Sequence, residues 1–177
     1  MTKKDYLKQG EQTQITEKIE TIADGFKSSG LDLIFEILNW LHKNVKPKTD
    51  SEYKNEFFRK RTAEQIIDSG YATGCTDYAL VFTTLVRAKN IPAKYIEAIS
   101  TQWFEKGDLE HLEGHVFSEV QINNNWYIID SQTAVIKAWY GKRFEILEEG
   151  LDSWDIGVRN IEDLKKKFEQ FLLSRNP

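Results

Sequence analysis

The sequence predicts an α+β fold, with helices in the first half and an antiparallel sheet in the second. Three observations carry this. From Ile15 to Lys89, apolar residues recur at helical spacing. After Pro92 the texture changes to short runs rich in β-branched and aromatic residues. Runs of helices followed by runs of strands belong to the α+β class, not to an alternating parallel one.

The elements follow in order. The first dozen residues are polar and are expected to be disordered, leaving 13–177 as a single domain. Ile15, Ile19, Ile22, Ala23 and Phe26 mark a first helix, and Leu31, Ile34, Phe35, Leu38, Leu41 and Val45 a stronger second one. Pro47 sits just beyond its end. Residues 46–60 read as a polar connection, in which the basic "FFRKRT" is a solvated turn, and "TAEQIIDSG" as a short helix stopped by Gly70. Cys75 to Lys89 is the best helix, with Ala79, Phe82 and Val86 on the face of Cys75 and Asp77 suited to its positive first turn. "AKYIEAI", "HVFSEVQI" and "WYIID" are strands, and "INNNW" is a hairpin turn. "STQWFEKGDLEHLEG" is a long polar loop; its Trp103 and Phe104 read equally as core anchors or as cleft-lining residues. "NIEDLKKKFEQFLL" is an amphipathic helix capped by Asn160. Trp139 and Trp154 read as packing residues, and His42 as an exposed helical one.

Composition limits the function classes. A length of 177 residues suits one domain, and a net charge of −4 argues against nucleic acid, whose phosphates demand a basic face. No apolar run reaches the length of a membrane span, and "MTKKDYLKQGEQTQ" lacks the apolar centre of a signal peptide. The single cysteine has no partner for an internal disulfide, so a cytoplasmic setting is expected.

That cysteine, Cys75, follows Gly74 at the start of a helix. Taken alone it reads as an inert, packed thiol. It reads as a nucleophile once a base is added, because a thiol attacks as its thiolate and a free cysteine titrates near ~8.5. Helix N–H groups, a histidine and a carboxylate behind that histidine each favour the charged form. His115 opens one strand, and Asp130 ends the next. Strand parity makes the pair testable. A two-residue turn at Asn123-Asn124 would pair Ile122 with Asn125 and Phe117 with Asp130, setting His115 and Asp130 diagonally on one face, roughly 7–8 Å apart at Cβ. A plain three-residue turn would put Asp130 on the wrong face, so an even turn or a parity-restoring bulge is expected. "EHLEGH" also permits a metal reading, but Gly114 disfavours the helix that would align His111 with His115.

At these residues the chain resembles the transglutaminase-like superfamily of papain-like folds. "GCTDYALVFTTLVRAKNIPAKYIEA" resembles the family's nucleophile helix and following strand, and "GHVFSEVQINNNWYIID" its histidine–aspartate motif. The resemblance covers about Ala63 to Gln132, with a weaker echo in "ILNWLHKNV". It implies a papain-like core with the nucleophile helix packed on an antiparallel sheet. It also implies Cys75 as nucleophile, His115 as general base and acid, Asp130 as orienting carboxylate, and Arg87 as structural. A second oxyanion donor has no clear position; Gln65 and Trp40 are candidates. The expected activity is cleavage of an amide or peptide bond through a thioester, with hydrolysis slightly preferred over transfer to an amine. The expected partner is a peptide or protein substrate, with no cofactor, metal, nucleic acid or membrane. The alternatives are an inactive peptide-binding module on the same fold and a structural metal protein.

Overall fold

The computed structural model describes residues 6–137 and 139–175. Among the described residues, seven helices and seven strands run in the order α1 (Glu17–Asp24), α2 (Gly30–Asn44), β1 (Lys46–Pro47), α3 (Ser51–Phe57), α4 (Ala63–Ser69), β2 (Tyr71–Ala72), α5 (Cys75–Ala88), β3 (Ala93–Ser100), α6 (Thr101–Lys106), β4 (Gly114–Ile122), β5 (Asn125–Asp130), β6 (Val135–Lys137), β7 (Phe144–Gly150) and α7 (Ile161–Arg175). β1 and β2 form a small parallel pair. The other five strands form one antiparallel sheet in the order β6-β5-β4-β3-β7. The α+β class expected from the sequence is the class observed.

Local chemistry explains the element ends. Thr16 caps α1 through the Ile19 N–H, and Asp50 caps α3 through the Tyr53 N–H. Thr62 and Gln65 form a reciprocal capping box on α4, which ends at Gly70 in the left-handed region. α5 is buried from Thr76 to Arg87, because α1, α2 and α4 cover one side and the sheet the other. Its threonines remain compatible with that burial: Thr83 and Thr84 donate to the carbonyls of Ala79 and Leu80.

Both faces of the sheet are covered. Val116, Val120 and Ile129 join the main core with Leu80, Phe82 and Val86 of α5. On the opposite face Ile96, Ala98, Phe117 and Ile128 form a smaller cluster beneath Tyr140 and Phe144.

Several expectations are corrected. Residues 1–5 of the terminal stretch expected to be disordered lie outside the described residues; 6–12 pack onto the protein. The Tyr6 hydroxyl donates to Glu149 at 2.7 Å, and buried Gln12 donates from Nε2 to the carbonyls of Arg59 and Arg61. Polar side chains there satisfy backbone groups inside the fold, so polarity did not mean disorder. The connection 46–60 contains β1 and α3, and the polar loop after β3 contains α6. Arg59 and Arg61 of "FFRKRT" are buried. Trp139 is 65% exposed, so it packs little, whereas Trp154 donates from Nε1 to the Arg59 carbonyl. Trp103 is fully buried edge-on to Phe168, so the anchoring reading of that residue holds.

Candidate active site

The β4–β5 hairpin determines where His115 and Asp130 meet. Asn123 and Asn124 both have positive φ, 50° and 67°, the pattern of a two-residue type I′ turn, in a conformation asparagine tolerates. The register runs from Ile122 opposite Asn125 to Ser118 opposite Ile129. Extended by one step it sets Phe117 opposite Asp130, so the even turn expected from parity is present. His115, two residues before Phe117 on the same face, places its Nε2 3.1 Å from Asp130 Oδ1. Thr133 N–H also donates to that oxygen. Lys137 Nζ lies 3.8 Å from Oδ2.

Cys75 begins α5, and a buried carboxylate shapes its approach. Asp77 Oδ2 accepts from the Thr73 N–H at 2.7 Å, from the Thr73 hydroxyl at 2.8 Å and from Arg61 Nη2. Asp77 thereby fastens the chain just before Gly74 and Cys75, a more specific role than a favourable helix-end charge. A side chain at 74 would meet open space, so the glycine leaves the approach to the sulfur clear.

The half-buried Cys75 sulfur, His115 and Gly74 line one cavity of about 300 Å³, together with Phe58, Leu112 and Phe168. Burial alone would push the His115 pKa down. Hydrogen bonds to Asp130 and to Cys75, and the charges of both, override it and raise the pKa to about 9. Nε2 is committed to Asp130, which leaves Nδ1 as the ring nitrogen outside that bond. Burial opposes ionisation of Asp130 as well, but the His115 hydrogen bond and charge hold its pKa below the usual value.

The linkage has a definite sign. A histidine whose folded pKa exceeds the unfolded ~6.5 stabilises the fold fully below that value, and loses the contribution as pH rises through about 9. Cys75→Ser removes one partner of the imidazolium. The expected result is a fall in the His115 pKa from about 9 toward 6.5, read from its ring proton shifts by NMR titration; an unchanged midpoint would place the sulfur outside its environment.

Beneath the first turn of α5 lies a polar cluster that sequence reasoning missed. Arg59 Nη1 and Nη2 donate to both oxygens of Glu97 at 2.7 and 2.9 Å, and Nη1 also donates to Tyr95 Oη and Ser153 Oγ. Arg59 and Glu97 line the same cavity as Cys75. His42 was missed too. Half-buried, it stacks on Tyr78 of α5 and bonds through Nε2 to the Ser131 carbonyl at 2.8 Å, tying α2 to the residue after Asp130. Arg87 is buried and donates to the Ala93 and Leu151 carbonyls, as a structural residue would. Neither candidate for a second oxyanion donor reaches the cavity. Gln65 caps α4, and Trp40 packs edge-on to Phe26. His111 faces Asp108 in an exposed turn, apart from His115.

No helix among the described residues is long and apolar enough to cross a membrane. No curated protein matches the chain. Among solved structures, a candidate cysteine protease of Cytophaga hutchinsonii superposes with a TM-score of 0.63 at 23% identity, over 86% of this chain and 48% of its own. A candidate protease of Parabacteroides distasonis superposes with a TM-score of 0.52 at 12% identity, over 81% of this chain and 27% of its own. The chain thus spans less than half of either relative, and at these identities the likeness is one of fold. The transglutaminase-like superfamily profile matches residues 9–131, reaching well upstream of the Ala63–Gln132 stretch on which the sequence resemblance rested. With its helix-borne cysteine and its histidine–aspartate hairpin inside that match, the chain belongs to the transglutaminase-like superfamily.

Proposed function

We propose that the protein is a cysteine enzyme that cleaves an amide or peptide bond through a thioester, with Cys75 as nucleophile, His115 as general base and acid, and Asp130 as the carboxylate that orients His115. The observation that carries this is the imidazole bonded to Asp130 and lining one cavity with Cys75, whose sulfur helps raise the His115 pKa. The Cys75 sulfur attacks the carbonyl carbon as its proton resides on His115. The N–H groups of the first turn of α5 stabilise the oxyanion, with the Cys75 N–H nearest. As the tetrahedral adduct collapses, His115 passes the proton to the leaving nitrogen, the C–N bond breaks and a thioester remains. Water, deprotonated by the same imidazole, then releases a carboxylic acid and restores the thiol.

Hydrolysis is preferred over transfer to an amine because the solved relatives are described as proteases. The setting proposed is the cytoplasm, where an unpaired thiol stays reduced. The substrate is a peptide or protein.

The test is direct observation of the intermediate. A small nitrophenyl ester is expected to give a burst of nitrophenol and one acyl group on Cys75 by mass spectrometry, removable by hydroxylamine. Water and glycine methyl ester then compete for release, and the product ratio separates hydrolysis from transfer. A correctly folded protein that binds peptides but never acylates would establish the inactive binding module instead.

A further inference from the structure

The Cys75 cavity does not end at the sulfur. A second cavity of about 280 Å³ lies beside it, and the two share Lys54, Phe58 and Ile161. The outer one is completed by Asn55, Lys60 and Asn160. Ile161, 43% exposed at the start of α7, and half-buried Phe58 give the shared wall an apolar surface that water meets.

Charge separates the two ends. In the inner cavity the carboxylate of Glu97 is neutralised by Arg59, with both side chains about 2–3% exposed. No acidic residue lines the outer cavity, while two lysines do. Lys18, Lys94, Lys106, Lys137, Lys165 and Lys167 each stand within 4 Å of a carboxylate, and other described lysines, such as Lys27, Lys43 and Lys142, do not. Lys54 and Lys60 have no such partner among the described residues, and the Lys60 ammonium reaches only the Asn55 carbonyl, at 3.5 Å. Uncompensated cations along a groove favour an anionic occupant.

We infer that the outer cavity is a substrate subsite: the groove takes a peptide whose apolar side chain lies on Phe58 and Ile161 next to the reacting carbonyl, with a carboxylate side chain beyond it that pairs with Lys54 and Lys60. This rests on the proposed Cys75 chemistry and adds the substrate's character, an acidic peptide with an apolar residue at the reacting bond. Exposed ion pairs are individually weak, so two of them set a preference of about fivefold, not an absolute requirement.

The test uses four thiol-alkylating peptides, because the chain can extend from the reacting carbon in either direction. Chloroacetyl-Leu-Glu-amide and acetyl-Glu-Leu-chloromethyl ketone carry the acid; two others carry lysine in its place. In each, the Cys75 sulfur displaces chloride and forms a C–S bond, read by mass spectrometry. In at least one orientation the glutamate probe is expected to label about fivefold faster than its lysine counterpart, less so as salt is raised. Lys54→Glu/Lys60→Glu, at two exposed positions, is expected to reverse the ratio. Equal rates for both pairs, no labelling by any of the four, or an acid preference that survives the double substitution would overturn the subsite. Iodoacetamide, too small to reach the outer cavity, reports the Cys75–His115 pair separately. A normal iodoacetamide profile with no peptide preference therefore sinks the subsite alone.

Discussion

His115→Ala is expected to slow formation of the Cys75 acyl-enzyme by about 10³-fold, the effect typical of removing a positioned acid–base group. The nitrophenyl-ester burst measures it. Two functions would vanish at once, since in the proposed mechanism the imidazole both holds the sulfur's proton and delivers it to the leaving nitrogen. Asp130→Asn is expected to cost about 10²-fold or more through the same step, because an amide neither stabilises the imidazolium nor enforces its tautomer. As Asp130 acts through His115, the double variant is expected to be barely worse than His115→Ala. Additive losses would mean that the hydrogen bond between them is incidental to the reaction.

The largest loss of stability is expected at Glu97, outside the proposed triad. Its two oxygens accept from Arg59 at 2.7 and 2.9 Å, and the Tyr95 hydroxyl adds a third bond. Both charges are removed from water, so deleting one leaves the other buried and unpaired. Glu97→Ala is expected to cost about 3–5 kcal/mol, read from the urea midpoint. Replacing Arg59 and Glu97 together with residues of similar volume is expected to recover much of this, since a buried pair need not stabilise more than an apolar equivalent. A loss below about 1 kcal/mol for Glu97→Ala would show that solvent reaches the pair. The consequence bears on function as well: Tyr95, Arg59 and Glu97 lie under the first turn of α5, so their loss loosens the seat of Cys75.

The site was more legible than its support. Cys75 and the hairpin could be read because periodicity and parity act at short range: a two-residue turn dictates which residues share a face, whatever surrounds the hairpin. Burial of charge is not local. Nothing in "FFRKRT" tells a solvated arginine from one whose partner lies 38 residues away in β3. The same blindness hid His42, whose partner carbonyl is 89 residues distant. β7 went unread for a different reason. As an edge strand it carries "FEILEEG", whose acids pair with Lys94, Lys167 and Arg175 instead of alternating with a buried face. The polar stretch at residues 6–12 misled in the opposite sense, because its side chains serve buried backbone groups of other segments.

The central claim is that Cys75 and His115 share one proton. Iodoacetamide alkylation of Cys75, followed against pH in the native protein and in His115→Ala, tests it most directly. The account predicts fast alkylation well below pH 8 in the native protein, lost in the variant. A native rate that rises only near ~8.5, as for an ordinary thiol, and that His115→Ala leaves unchanged, would contradict it.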